Sequence, residues 1–193
     1  LLDSMAHWRK TFESEKLKPG AVVIVSADFS FQAIAIFMTL LDLGVIVVPL
    51  TSSVEDKRDR FIEIAQGEWE IVIDDQDQVT VRALTCQATH QLYSALREKG
   101  RPGLVLFSSG STGESKAALH DMVGILEKFR TPRHSLRMMT FLLYDHIGGV
   151  NTLLYAMSNC GCVVTVNDRS PDGVLSKVEK HNVQLLPTSP TFI

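Results

Sequence analysis

Lys18-Pro19-Gly20-Ala21-Val22-Val23-Ile24-Val25 opens the stretch that decides the fold, and Leu43-Gly44-Val45-Ile46-Val47-Val48-Pro49-Leu50 closes it. The first is a turn followed by an unbroken β-branched run, the pattern of a strand buried on both faces. Between the two, Ser30 can cap a helix whose apolar residues Phe31, Ile34, Ala35, Met38 and Leu41 recur at helical spacing. Gly44 stands where a left-handed C-terminal residue is wanted. Residues 45–48 then read as a second strand, closed by Pro49. Strand, helix and strand of these lengths call for a parallel crossover unit.

The same grammar continues outward. Ser53 with Asp56 three residues on signals a helix start, and Phe61, Ile64 and Ala65 supply its buried stripe before Gly67. Residues 71–73 and 79–81 flank an acidic turn, Asp74 to Asp77, as strands would. Residues 90–99 read as a short helix and 104–107 as a strand. Further on, 122–130, 151–158 and 174–180 read as helices, and 140–143, 163–166 and 184–186 as extended. The expected class is therefore α/β, a layered and mostly parallel sheet flanked by helices. The Gly100-Arg101-Pro102-Gly103 stretch is the best internal joint, so residues 1–193 form one partial domain or two packed portions, 1–100 and 101–193.

Bulk properties narrow the function classes. The chain has 193 residues, 45% hydrophobic and 21% charged, with a net charge of −3. No basic field invites nucleic acid. The longest apolar stretch, residues 33–50, is broken by Asp42, Gly44 and Pro49, so no membrane span is expected. Cys86, Cys160 and Cys162 are too few and too irregular for a disulfide framework, and Cys160-x-Cys162 lacks the partners of a zinc site. Asp74, Asp75 and Asp77 lack the remaining positions of a calcium loop and read as a solvated turn. No metal ligand is assigned. Lys57, Arg58 and Arg60 alternate with acids and read as a solvated helix face. Both ends read as cut, beginning within an amphipathic pattern at Leu2, Met5, Trp8 and Phe12 and stopping at Ile193 without a tail.

The candidate site is Phe107-Ser108-Ser109-Gly110-Ser111-Thr112-Gly113-Glu114-Ser115-Lys116. It follows an apolar strand and is expected to precede a helical segment. Gly110 and Gly113 permit positive φ and let backbone N–H groups approach an anion. Ser108, Ser109, Ser111 and Thr112 offer hydroxyl donors, and Lys116 offers a mobile point charge. Such a loop suits the β- and γ-phosphates of ATP and stabilises charge building on a departing pyrophosphate. The Walker pattern Gly-x-x-x-x-Gly-Lys-[Ser/Thr] cannot be laid on it, nor can the dinucleotide Gly-x-Gly-x-x-Gly. His146, followed by Gly148 and Gly149, is a second candidate, the glycines letting a ligand come close. Asp145 reads as a cap or turn residue; His120 and Asp121 are expected at the next helix start, with Asp121 as its N-cap.

Residues 107–116 resemble the signature loop of the adenylate-forming superfamily, which includes acyl-CoA synthetases, peptide-synthetase adenylation domains and luciferases. The usual ending Gly-x-Pro-Lys-Gly stands here as Gly113-Glu114-Ser115-Lys116-Ala117. Residues 43–50 resemble the family's Leu-x-x-Gly-x-x-x-x-Pro packing motif. Leu143-Tyr144-Asp145-His146-Ile147-Gly148-Gly149 resembles the segment that places a His or aromatic residue beside the acyl-adenylate.

The resemblance implies the large N-terminal domain of a cytoplasmic, AMP-forming acid ligase using ATP and Mg²⁺, with CoA as the expected acyl acceptor. A carboxylic acid would become acyl-AMP, releasing pyrophosphate, and a CoA or carrier-protein thiol would take the acyl group. Lys116 with Ser109, Ser111 and Thr112 would hold the phosphates. His146, with Gly148 and Gly149, would line the acid site, sensing the carboxylate rather than acting as a base, since a carboxylate is already ionised at pH 7. Thr188 would stand behind that site. The adenine, ribose and C-terminal Lys motifs of the family do not occur in residues 1–193, so the chain is expected to be an inactive fragment. A degenerate nucleotide-binding scaffold and an adenylation domain serving a carrier protein are the alternatives.

Overall fold

A computed structural model describes residues 1–109, 115–190 and 192; of Ser109 it describes the backbone alone. Two compact units divide the chain, Leu1–Ile125 and Leu126–Ile193.

The first unit is built on a six-stranded sheet of order β4-β3-β1-β2-β5-β6. β1 (Val22–Ser26), β2 (Ile46–Leu50), β3 (Trp69–Ile73) and β5 (Gly103–Ser109) run parallel. β4 (Val79–Ala83) and β6 (Ser115–Asp121) close the two edges as antiparallel partners of β3 and β5. The parallel strands read as continuous apolar runs because both faces are covered. On one face Val22, Ile24, Ile46, Val48 and Val105 pack with Phe61 and Ala65 of α3 (Arg58–Ala65) and with Tyr93 and Leu96 of α4 (Gln91–Glu98). By the alternation of a strand, Val23, Val25 and Val47 face the other way. α2 (Phe31–Asp42) packs against β2, and α1 (Leu2–Ser14) packs on α2.

Local signals act as expected at both ends of α2. The Ser30 hydroxyl accepts from the Ala33 amide at 3.0 Å, and Gly44 adopts φ +73° as its amide closes on the Leu41 carbonyl. Pro49 does not end β2 but sits within it. The Ile46 amide donates to Ala21 on the β1 side, so by alternation the nitrogen of Pro49 faces β5. That ladder stops at Val47–Leu104, and the missing N–H breaks no bond.

α3 begins at Arg58, later than the Ser53 signal suggests. Ser52–Lys57 forms a 3₁₀ turn, interrupted by non-helical angles at Val54, and the Ser53 hydroxyl bonds that of Thr51 at 2.7 Å instead of capping a helix. Arg58 also departs from the solvated reading. It pairs with Glu70, a fully buried residue of β3 that also meets Arg82 of β4.

The expected joint at residues 100–103 is a loop leading into β5. Because β5 pairs with β2, the strand and its hairpin belong to the first unit, which ends within α5 (Met122–Glu127).

In the second unit β7 (Arg137–Met139) and β8 (Cys162–Val164) pair in parallel, and a single bridge links Met138 to Leu185. α6 is Ile147–Ser158 and α7 is Pro171–His181. Met139, Val164, Val166 and Val174 form the core, with Phe141, Val178, Leu186 and Phe192 against it. The extended segment expected at 140–143 is β7, three residues earlier. Cys160 is exposed at φ +53° and Cys162 is half-buried.

Candidate functional site

The strands on either side of the serine- and glycine-rich segment pair with each other. β5 and β6 pair from Gly103–Asp121 up to Ser108–Lys116 and Ser109–Ser115. The helix expected after the loop is therefore replaced by a strand. Ala117, Ala118 and Leu119 have good helix propensity, but a seven-pair ladder with β5 outweighs it. The helix that does follow starts at Met122, where Asp121 caps it as expected, its Oδ1 accepting from the Val123 amide at 2.9 Å. His120 is a strand residue opposite Leu104.

Of the predicted phosphate-holding residues, Ser108 and Lys116 are exposed register partners on one face of the hairpin. Gly110, Ser111, Thr112 and Gly113, with the Ser109 side chain, lie outside the described residues. A ring stack fixes the hairpin stem: Phe107 lies on Phe61 of α3 with centroids 3.9 Å apart and planes within 4°. The phosphate candidates thus ride on a strand clamped to the core.

At the stem's base, partial burial pushes the Asp121 carboxyl up. The Arg101 hydrogen bond, the Val123 amide, the Arg101 charge and the Gly124 amide outweigh burial and hold it below its ordinary value. The Arg101–Asp121 contact is 2.7 Å.

Within the second unit, His146 is exposed and occupies the N-cap position of α6 without a side-chain capping bond. Its amide donates to the Leu143 carbonyl at 3.1 Å, and its own carbonyl accepts from Val150 at 3.0 Å. Gly148 and Gly149 are not in an open loop but form the first turn of α6. A Cβ at Gly149 would strike the Leu143 carbonyl and come within 2.7 Å of that of Leu142, while one at Gly148 would meet the Leu142 side chain at 2.7 Å. These glycines have a packing reason of their own, the close passage of residues 142–143. Tyr144 is wholly buried and its phenol is pushed far up by desolvation. The Thr188 hydroxyl is buried with no hydrogen-bond partner among the described residues.

The sequence profile described as AMP-binding enzyme matches residues 10–193. The chain belongs to the AMP-binding enzyme family. That places it in the adenylate-forming superfamily that residues 107–116 resemble. No curated protein matches this AMP-binding enzyme chain by sequence. Among solved structures, it superposes on the Klebsiella oxytoca NpsA N-terminal subdomain with TM-score 0.76 and 17% identity, over 96% of this chain and 52% of that one. The o-succinylbenzoate CoA synthetase MenE from Bacillus subtilis, in complex with the acyl-adenylate OSB-AMP, gives 0.71 and 14%, over 99% and 55%. An artificially fused adenylation–PCP di-domain, NpsA-ThdA from Klebsiella oxytoca, gives 0.74 and 16%, over 96% and 40%. At these identities the likeness is one of fold. The chain spans about half the length of the first two structures.

Two features escaped the sequence reading. One is the Arg58–Glu70–Arg82 cluster, invisible because its members lie 12 residues apart in steps that no local pattern links. The other is that Lys57 and Arg60 line a cleft against the β5–β6 stem. The spacing of Lys57, Arg60, Phe61 and Ile64 along one helix face was the available signal.

Proposed function

We propose that the protein carrying this chain is an AMP-forming acid ligase, with its phosphate loop in the sequence between β5 and β6. The observation that carries the reading is exposed Lys116, on the strand that follows the Ser/Gly-rich sequence, in a chain of the AMP-binding enzyme family. A carboxylate oxygen attacks the α-phosphorus of ATP. The bond to the β-phosphate oxygen breaks and pyrophosphate leaves with the electron pair. Lys116, Ser108 and the loop 109–113 meet the charge that grows on those oxygens. Mg²⁺ enters as the ion of the nucleotide, and no residue here is assigned to it.

His146, Gly148 and Gly149 are proposed for the acid side of the reaction, with Thr188 behind them. A thiol takes the acyl group in a second step, and CoA is the leading acceptor because His146-x-Gly148-Gly149 resembles the acyl-CoA synthetase segment. A carrier-protein thiol is the second reading, favoured by the likeness to an adenylation–PCP fusion. Because the chain spans about half its relatives' length, residues 1–193 alone are proposed to turn over little.

The test is acid-dependent pyrophosphate release by the full protein against a panel of carboxylic acids, with CoA or a carrier protein supplied. Lys116→Ala should lower the rate about a hundredfold while leaving the thermal midpoint unchanged. Absence of acid-dependent release with ATP binding intact would overturn the reading, as would an unaffected Lys116→Ala.

A further inference from the structure

On the core side of the hairpin a cleft of about 710 Å³ lies between α3, the start of α4 and the β5–β6 stem. That size falls within the roughly 300–1,000 Å³ of small-molecule sites. Its floor is apolar. Phe61 and Tyr93 are buried rings, Val105, Ala117 and Leu119 come from one face of the hairpin, and Leu92 is 53% exposed. Its rim is cationic. Lys57 and Arg60 line it, while the side chain of Lys116 alternates to the other face of the hairpin, and the described lining residues include no Asp or Glu.

The nearby acids do not cancel that rim. Asp59 is fully exposed and does not line the cleft. Glu63 meets Arg60 at 3.4 Å, but the two side chains are 73% and 65% exposed, so water screens the pair and it holds the guanidinium weakly. His90 accepts the Leu92 amide on Nδ1 at 3.3 Å, which leaves its Nε2 to donate. Cations beside an apolar floor match one ligand chemistry, an anionic head on a flat apolar body.

We infer that this cleft binds an amphipathic organic anion, a carboxylate, sulfonate or phosphate carried on a body of one or two rings. The site stands apart from acid activation and holds whether or not that reading does.

The experiment uses the 193-residue chain and two fluorescent probes of one shape, 1-anilinonaphthalene-8-sulfonate and uncharged N-phenyl-1-naphthylamine. The sulfonate should bind the wild type more tightly than the neutral probe. Lys57→Glu with Arg60→Glu should weaken the sulfonate about tenfold and leave the neutral probe unchanged. Lys10→Glu, on α1, should alter neither. If circular dichroism shows the double reversal unfolded, Lys57→Gln with Arg60→Gln replaces it, with a smaller loss of the same sign. Equal affinity of the two probes for the wild type would overturn the proposal. So would a sulfonate affinity indifferent to both substitutions, or an equal loss of both probes.

Discussion

The two edges of the first unit's sheet are closed in the same way, by antiparallel hairpins, yet the hairpins are built for different ends. In the β3–β4 hairpin one side chain closes the turn. Asp74 accepts the Gln76 and Gln78 amides at 2.9 and 2.8 Å, and Asp77 takes the one positive φ, 61°. Its stem is pinned by Glu70, opposite Arg82 in the register and met from the side by Arg58. In the β5–β6 hairpin the stem is pinned by packing, through Phe107 on Phe61, and Ser108 and Lys116 stand exposed as register partners on its strands. The contrast separates a hairpin held by an ion cluster and an Asx turn from one held by ring packing, with an exposed lysine on its second strand.

Glu70 offers the sharpest way to break that comparison. The carboxyl is fully buried and Arg58 is only 18% exposed, so removing the negative charge strands a cation in poor solvent. Glu70→Gln keeps the volume and should cost about 3 kcal/mol in urea unfolding. Lys116→Ala, on the other hairpin, should move the same midpoint by less than about 0.5 kcal/mol. A Glu70→Gln variant as stable as the wild type would show that the first hairpin is not held by its ions. Next in size is Asp74→Ala, which frees two amides and should cost about 1 kcal/mol. Amide exchange at Gln76 and Gln78 should quicken, and Asp74→Asn should largely restore protection, since an amide oxygen also closes an Asx turn. Unchanged exchange in Asp74→Ala would mean the turn holds without its side chain.

The same contrast explains what could be read from the residues. Periodicity and punctuation carried the parallel layers: the apolar runs at 21–25 and 45–48, the Ser30 cap and the Gly44 stop are local signals, and local physics decides them. The acidic turn at 74–77 was legible for the same reason. The strand at 115–121 was not, because Ala117, Ala118 and Leu119 are neutral or favourable to helix, and only a partner strand makes them extended. Pro49 within β2 depends on where a neighbouring ladder stops, and the Glu70 cluster on three separate elements. At the candidate site, residue types pointed to the loop, but the hairpin that carries it, and the passage of residues 142–143 against Gly148 and Gly149, are tertiary facts.

The smallest expected effect lies at the base of the second hairpin, where Asp121 both closes the register opposite Gly103 and caps α5. Its carboxyl sits below the ordinary carboxylate value because Arg101 and the Val123 and Gly124 amides outweigh its partial burial. A depressed folded-state pKa means that the charged form stabilises the fold. The contribution is full above the unfolded value, near 4, and is lost as pH falls through the lower folded one. Asp121→Asn keeps an acceptor for the cap but removes the charge, so the difference from wild type should be about 0.5 kcal/mol at pH 7. It should shrink toward zero on acidification below pH 4, and shrink also in high salt, which screens the exposed partner Arg101. A difference that grew on acidification would reverse the sign of the argument. One that ignored pH altogether would mean that the cap alone, and not its charge, anchors the hairpin beneath the loop.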